Sequence, residues 1–276
     1  MRWNMPDDLK ILFIGDIVGK IGRRMVAECL PVLVKEHGIG LCIANCENAA
    51  GGFGITPKVA DQLFSCGVHL LTSGNHIWDK VEGIQLLDQD SRLLRPANYP
   101  PDTPGRGMTV VEAPGGERVG VLNLCGRVFL DPVDCPFRTA DREIAKLRAE
   151  TRIILVDMHG EATSEKVAMG WYLDGRVSAV VGTHTHVQTA DERVLTGGTA
   201  YITDAGMTGP ADSVIGIRKE MIIEKFLTHL PRRFEIARGE GQFNAVIVHV
   251  QRSTGLATHV SRSYIRSAWL SQGQEG

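Results

Sequence analysis

The sequence predicts an α/β fold, and two patterns support this prediction. Apolar β-like runs alternate with amphipathic helical stretches, and paired β-like runs in the middle and at the end of the chain look like hairpins. Alternating βα units are typical of parallel sheets covered by helices, whereas hairpins add antiparallel strands. Because no repeat, low-complexity segment or linker divides the 276 residues, we expect a single domain. Its strands would form a mixed sheet, or two sheets between helical layers.

The first half of the chain predicts three strands separated by two helices. Strands are expected at 10–15 (KILFIG), 41–45 (LCIAN) and 68–73 (VHLLTS). A helix is expected at 22–37 and should end at Gly38, because glycine readily takes the left-handed conformation just past a helix. Thr56 should cap a second helix, with Pro57 at its first position and its end near Gly67.

The second half begins with a proline-rich stretch at 95–106, which is typical of a loop. The remaining expected elements are a hairpin of strands 108–113 and 118–124, helices 139–150 and 164–173, strands 153–157 and 177–181, and a final hairpin of strands 244–250 and 256–263.

Composition narrows the class of protein. A formal net charge of -2 does not indicate a polybasic surface, although it does not exclude a local basic patch. The segment Met1–Lys10 has no apolar leader, and no apolar run approaches the roughly 20 residues of a membrane span. None of the six cysteines forms a C-x-x-C pair, so we expect reduced, mostly buried thiols, including Cys46, in a cytoplasmic protein.

Polar residues follow five of the expected strands at the point where each strand ends. They are Asp16, Asn45-Cys46-Glu47-Asn48, Asn75-His76, Asp157-Met158-His159-Gly160-Glu161 and His184-Thr185-His186. Parallel strands place their carboxyl ends along one edge of a sheet, where open α/β sheets bind ligands. We therefore expect these side chains to converge.

The residue types suit metal binding. Carboxylate and amide oxygens are hard ligands, and imidazoles suit zinc, iron and manganese. His184 and His186 could share one side of an extended segment, because strand side chains alternate. Two neighbouring ions need roughly six to eight protein ligands. The candidates are Asp16, Glu47, Asn48, Asn75, His159, His184 and His186.

Each candidate has a structural alternative when it is taken alone. Asp16 could cap a helix, and Asn48 and Asn75 could be turn residues. Glu47 is harder to explain in this way, because a carboxylate just after a buried strand needs a partner. Their joint placement at strand ends favours the metal site. The remaining histidines are expected to be structural: His37, His69, His229, His249 and His259.

These motifs resemble those of the calcineurin-like metallophosphoesterases, which show an opening Asp, a second acidic loop, Gly-Asn-His, a lone His and a final Gly-His-x-His. Two departures stand out, since Val18 replaces the histidine of Asp-x-His and Asn45-Cys46-Glu47-Asn48 replaces the usual second motif. Both departures resemble a narrower group, the YmdB-like phosphoesterases. The matching segments are GDIVGK, NCENAAGGFGIT, SGNHIWD, DMHGEATSEK and GTHTHVQTADE.

The resemblance covers about residues 9–264. It implies a four-layered α-β-β-α sandwich with mixed sheets, and phosphodiesterase activity on 2′,3′-cyclic nucleotides. Two iron or manganese ions would be bound, with Glu47 as the bridge and Asn48 in place of the absent histidine. One ion would take Asp16, Glu47, Asn48 and His186, and the other Glu47, Asn75, His159 and His184. His76 would be catalytic, donating a proton to the leaving oxygen after attack by a metal-bridging hydroxide.

Two alternatives stay open. A dinucleotide-binding enzyme would use Gly15, Gly19 and Gly22 between a strand and a helix, but their spacing is not G-x-G-x-x-G and the histidines would have no role. A metal-containing regulator with incidental activity could keep the site intact. A small phosphodiester is the expected partner. Neither membrane nor nucleic acid is expected, whereas an RNA-related role and a homo-oligomer stay open.

Overall fold

The computed structural model describes residues 8–267. Two predictions therefore lie partly outside the described residues: the absence of a leader, which concerns residues 1–7, and the end of the expected domain, which concerns residues 268–276. The helices are α1 (Gly19–His37), α2 (Pro57–Ser65), α3 (Val81–Gln89), α4 (Pro136–Arg148), α5 (Thr163–Tyr172) and α6 (Lys219–Thr228). The strands are β1 (Asp8–Ile14), β2 (Asp16–Ile17), β3 (Leu41–Asn45), β4 (Leu70–Thr72), β5 (Met108–Glu112), β6 (Arg118–Cys125), β7 (Ile153–His159), β8 (Ala179–Thr183), β9 (Arg193–Val194), β10 (Ala200–Ile202), β11 (Met207–Pro210), β12 (Gly241–Gln251) and β13 (Ala257–Arg266).

The strands form two mixed sheets. The first runs β2-β11-β12-β1-β3-β4, with β13 paired to β12, and β1, β3 and β4 are parallel. The second runs β5-β6-β7-β8-β10-β9, and its four central strands are parallel. The two predicted hairpins are present as the antiparallel pairs β5–β6 and β12–β13.

The two sheets pack face to face between helical layers. Alternate residues of β1 show this, because Ile11 and Phe13 lie in a core shared with the second sheet, whereas Leu12 and Ile14 face α1 and α2. The outer face of the second sheet packs on α4 and α5, for example through Ile154. The four-layered α-β-β-α sandwich is therefore confirmed. No helix within residues 8–267 is long and apolar enough to cross a membrane.

The observed boundaries correct several local expectations. The first helix begins at Gly19, with Val18 at its cap position, so Asp16 is not a helix cap. Gly38 does end this helix in the left-handed conformation (φ 65°). Thr56 occupies the cap position of α2 but makes no side-chain capping hydrogen bond. The expected strand at 177–181 lies two residues later, at Ala179–Thr183.

The polar strand ends come from two sheets rather than one. β1, β3 and β4 belong to the first sheet, whereas β7 and β8 belong to the second. The expectation of a single sheet edge is therefore wrong. Because the two sheets stack with these ends at the same side, residues from both still meet in one place.

Candidate metal centre

The seven predicted ligands lie at the adjoining ends of the two sheets. Asp16 belongs to β2, Glu47 and Asn48 to the turn after β3, and Asn75 to a short 3₁₀ helix (Asn75–Asp79) after β4. His159 is the last residue of β7, and the two remaining histidines follow β8. Their ligand atoms form two overlapping clusters, Glu47 with His159 and His184, and Asp16 with Glu47 and His186.

The first cluster converges on Nε2 of His159. This nitrogen lies 3.0 Å from Nδ1 of His184, 3.1 Å from Oδ1 of Asn75 and 3.2 Å from Oε1 of Glu47. One ring nitrogen can make one good hydrogen bond along its axis, so it cannot satisfy three neighbours. Four ligand atoms drawn together in a buried place are the expected surroundings of a cation.

The second cluster contains a buried carboxylate oxygen without a partner. Oδ1 of Asp16 is inaccessible to solvent and accepts no hydrogen bond within residues 8–267. Nε2 of His186 lies 3.8 Å from this oxygen and 3.2 Å from Nδ2 of Asn48. Rotation of the Asn48 amide would present its oxygen, the atom that binds metals, in the same position. Since a buried charge without a partner is costly, this cluster also fits a cation.

Protonation states favour metal binding at the first cluster, whereas burial raises the pKa of Asp16 in the second. Burial opposes ionisation of Glu47, but His159 and the backbone N–H of His76 outweigh it and hold the Glu47 pKa well below its usual range. Burial and the neighbouring His159 lower the pKa of His184 to about 3, so this imidazole stays neutral. Despite its own burial, His159 has a pKa raised to about 9 by Glu47. A metal ion would replace that proton, as ligand histidines bind metals in the neutral form.

Hydrogen bonds behind the ligands fix which nitrogen faces the centre. Nδ1 of His186 lies 2.9 Å from the backbone carbonyl of Ile215, so it donates there and leaves Nε2 for a metal. Nδ1 of His159 lies 2.9 Å from the Thr183 hydroxyl, which itself donates to Asp157 at 2.7 Å. Nε2 of His159 is thereby left as an acceptor.

Asp157 is a supporting residue to which the sequence analysis assigned no role. It is fully buried, and burial raises its pKa to about 7. Besides Thr183 of its own sheet, it accepts hydrogen bonds from Thr72 (2.6 Å) and Asn45 (3.2 Å) of the other sheet. The available signal was its position two residues before His159, since alternate residues of a strand share a face. Asp157 thus connects the two sheets beneath the site.

A buried ion pair was also missed. Nζ of Lys166 lies 2.8 Å from Asp204, and both side chains are almost inaccessible. Asp204 also accepts hydrogen bonds from the backbone N–H (3.1 Å) and hydroxyl (2.6 Å) of Thr185, between the two ligand histidines. Lys166 donates to the carbonyl of Thr183 at 3.3 Å. No local pattern indicated this pair, because its members are 38 residues apart in the chain.

The His-x-His segment is not extended, so the expected alternation of its side chains is wrong. His184 has φ 98° and His186 has φ 66°, values that non-glycine residues rarely adopt. Both histidines reach the site because the chain turns at each of them. Such backbone persists only where its surroundings hold it, and the Lys166–Asp204 pair holds this segment through its hydrogen bonds.

His76 lies at the rim of the site and not among the clustered ligands. Its backbone N–H donates to Oε2 of Glu47 at 3.1 Å, and Nδ1 lies 2.9 Å from Oδ2 of Asp79. The ring packs edge to face on Phe53, with the centroids 5.1 Å apart, and a third of the side chain is exposed. This position suits a group that contacts a substrate.

A cavity of about 530 Å³ opens over the two clusters. Glu47, Asn48 and the three residues His184-Thr185-His186 form part of its floor, and His76 and Glu161 also line it. The other wall is mostly apolar and also includes Lys225; its apolar members are Val18, Phe53, Val214, Ile215, Ile217, Ile222, Phe226, Phe234 and Ile236. A ligand with one charged end and one apolar body would fit this arrangement.

Close packing explains why glycine occupies positions 15 and 22, two of the three residues that a dinucleotide-binding enzyme would use. A Cβ on Gly15 would overlap the carbonyl oxygen of Gly206, and one on Gly22 would overlap that of Thr208. The backbone of β11 and of the residue before it therefore occupies the space beside these glycines. The N–H of Gly19 donates to the carbonyl of Asn48 at 3.0 Å. Gly15 and Gly22 bring α1 against the sheet, so packing accounts for them without a bound dinucleotide.

Comparisons with known proteins indicate the family and the fold of the chain. Residues 12–263 match the family model described as YmdB-like protein. The chain is 50% identical to a 2′,3′-cyclic-nucleotide 2′-phosphodiesterase of Bacillus subtilis (strain 168), over 93% of this chain and 97% of that protein. A phosphatase structure from Mycoplasma pneumoniae has a TM-score of 0.89 at 32% identity, covering 97% of this chain and 98% of that one. The structure of a hypothetical protein from Thermus thermophilus has a TM-score of 0.87 at 42% identity, covering 94% and 99%.

Proposed function

Because the chain belongs to the family of YmdB-like proteins, we propose that it is a two-metal phosphodiesterase that hydrolyses 2′,3′-cyclic nucleotides. The observation that carries this proposal is the pair of buried ligand clusters sharing Glu47 at the floor of one open cavity. The Bacillus subtilis relative, half of whose aligned residues are identical, supports the choice of substrate.

We assign one ion to Asp16, Glu47, Asn48 and His186, and the other to Glu47, Asn75, His159 and His184. The mixture of carboxylate, amide and imidazole ligands favours iron or manganese. When bound, two neighbouring ions polarise a phosphodiester and make water a strong nucleophile near neutral pH. The six free cysteines, four of them buried, suit a reducing compartment, and we propose the cytoplasm.

The protein's own residues orient the substrate and move a proton. The apolar wall of the cavity would hold the nucleoside while its phosphate lies at the ligand clusters. His76 would give a proton to the ribose oxygen that leaves phosphorus, since an alkoxide is a poor leaving group. Asp79 holds Nδ1 of this ring, which leaves Nε2 for the exchange.

The test is turnover by protein reconstituted with iron or manganese, using a panel of 2′,3′- and 3′,5′-cyclic nucleotides. We expect metal-dependent opening of the 2′,3′-cyclic substrates, and its loss in His186→Ala. The exposed His259 on β13 provides a matched control, His259→Ala, which should remain active. Inactivity towards every cyclic nucleotide would contradict the proposal. If bis-p-nitrophenyl phosphate is also not hydrolysed, with or without added metal, the regulator alternative is favoured.

A further inference from the structure

A second cavity, of about 880 Å³, lies next to the one over the ligand clusters. It is formed by the start of α1 and by the segment 233–239, which follows α6. Four cationic side chains line it, against a single carboxylate: Lys20, Arg24, Arg233 and Arg238, with Glu235. The cavity is thus locally basic in a chain whose formal net charge is -2.

Most of this positive charge is not neutralised. Lys20, Arg233 and Arg238 form no ion pair with any residue in the part of the chain that the structure describes, whereas Glu235 is paired with Arg218 at 3.1 Å. Arg24 meets Glu28 at 3.7 Å, an exposed and weak contact. The cavity therefore presents an excess of free cationic groups, which attract anions and bind phosphate oxygens well.

The two cavities adjoin. Phe234 and Ile236 line both, and the consecutive residues Gly51 and Gly52 line one cavity each. A molecule long enough to pass these two shared side chains would reach from the ligand clusters into the basic cavity. Such a molecule would contact three surfaces in order: the site of the reacting phosphate, the apolar wall and a second site for anions.

We propose that the basic cavity binds the phosphate on the 5′ side of the nucleoside whose 2′,3′-cyclic phosphate is opened, so that oligoribonucleotide ends are better substrates than cyclic mononucleotides. This inference rests on the proposed function. A 2′,3′-cyclic phosphate occupies the 3′ end of an RNA chain, and the next phosphate is attached through the 5′ oxygen of the same ribose. A mononucleotide with a free 5′ hydroxyl leaves the basic cavity without a partner.

The first experiment compares kcat/KM for a 2′,3′-cyclic mononucleotide, the same compound with a 5′ phosphate, and the dinucleotide that ends in it. Charge-assisted contacts to one phosphate should give the dinucleotide an advantage of about tenfold or more at low salt. That advantage should shrink as salt rises, because bound phosphate releases counterions. An equal advantage for the 5′-phosphorylated mononucleotide would show that phosphate suffices, whereas a smaller one would show that the additional nucleoside contributes.

The second experiment removes charge from the cavity. In Arg233→Ala/Arg238→Ala, the ratio of kcat/KM between dinucleotide and mononucleotide should fall towards one. Arg232→Ala is the matched control, because Arg232 adjoins Arg233 in sequence but pairs with Glu224 outside the cavity. Both arginines of the double variant are exposed, so the fold should be retained.

The outcomes separate this inference from the function on which it rests. Hydrolysis of the mononucleotide and dinucleotide with equal kcat/KM and equal salt dependence would overturn the basic subsite and leave the phosphodiesterase intact. A dinucleotide advantage that survives in Arg233→Ala/Arg238→Ala would also overturn it. Failure to hydrolyse either substrate would overturn the proposed function and the subsite together.

Discussion

Lys166→Met should destabilise the protein strongly and weaken its metal site. Lys166 is 1% exposed, and its ammonium group is paired with the fully buried Asp204. Methionine fills a similar volume but leaves the Asp204 carboxylate without a counter-charge. Three hydrogen bonds would remain to this carboxylate, from the N–H and hydroxyl of Thr185 and from the N–H of Gly206.

The expected magnitude follows from this burial. Removing one partner of a buried ion pair costs about 3–5 kcal/mol, because the remaining charge stays in a medium of low polarity. For a protein of this size each kcal/mol lowers Tm by roughly 2–4 °C, so Tm should fall on the order of 10 °C. Lys146→Met is the matched control, because Lys146 is 55% exposed in its pair with Glu143. It should change the free energy of unfolding by less than about 1 kcal/mol.

The assay is thermal and urea unfolding of metal-free protein, since bound metal would add its own stabilisation. Lys166→Met/Asp204→Asn should recover much of the lost stability, because no buried charge is left without a partner. Metal affinity should stay low in both variants, because each loses the hydrogen bonds that Lys166 donates to Thr183 and Thr185. A loss below about 1 kcal/mol in Lys166→Met, or normal metal binding in both variants, would refute this reasoning.

Three further predictions concern the ligands and their surroundings. Gly74→Ala would place a methyl group onto Nε2 of His159, so metal content should fall below one ion per chain; two bound ions would contradict the packing. His76→Ala should keep both ions and lose about 10²–10⁴-fold in rate with a cyclic nucleotide, but much less with a p-nitrophenyl ester, whose leaving group needs little protonation. Equal losses of rate on both substrates would instead show that His76 positions the phosphate. Thr183→Val removes the link between Asp157 and His159 and should weaken metal binding about 10–100-fold in a competition titration; unchanged affinity would exclude this link.

Patterns local in sequence were sufficient for most of the architecture. The apolar run of β1 and the glycine stop at Gly38 each depend on neighbours a few residues away, so the sequence showed them directly. The same holds for His159 and Glu47, which follow apolar strands so closely that their placement at strand ends could be predicted. Their convergence required the two sheets to stack with these strand ends at the same side, which the βα alternation alone did not supply.

Features built from distant segments could not be predicted. β11 is only four residues long, and its pairing with β2 beside Asp16 has no local signature. α6 has no buried residue, so its apolar residues, such as Ile222 and Phe226, belong to the cavity wall and not to the core. The backbone turns at His184 and His186 depend on a lysine and an aspartate from elsewhere in the chain. The basic cavity likewise combines residues near 20 with residues near 235.

The central claim is that Glu47 bridges two metal ions held by the strand ends of two sheets. Crystals of protein reconstituted with manganese or iron, measured by anomalous diffraction at the absorption edge of the metal, test it most directly. We predict two anomalous peaks, both beside the Glu47 carboxylate, one on the side of Asp16 and His186 and the other on the side of His159 and His184. Elemental analysis of the same protein should give two ions per chain, and fewer in Glu47→Gln. A single peak, a peak away from these residues, or two ions retained in Glu47→Gln would contradict it.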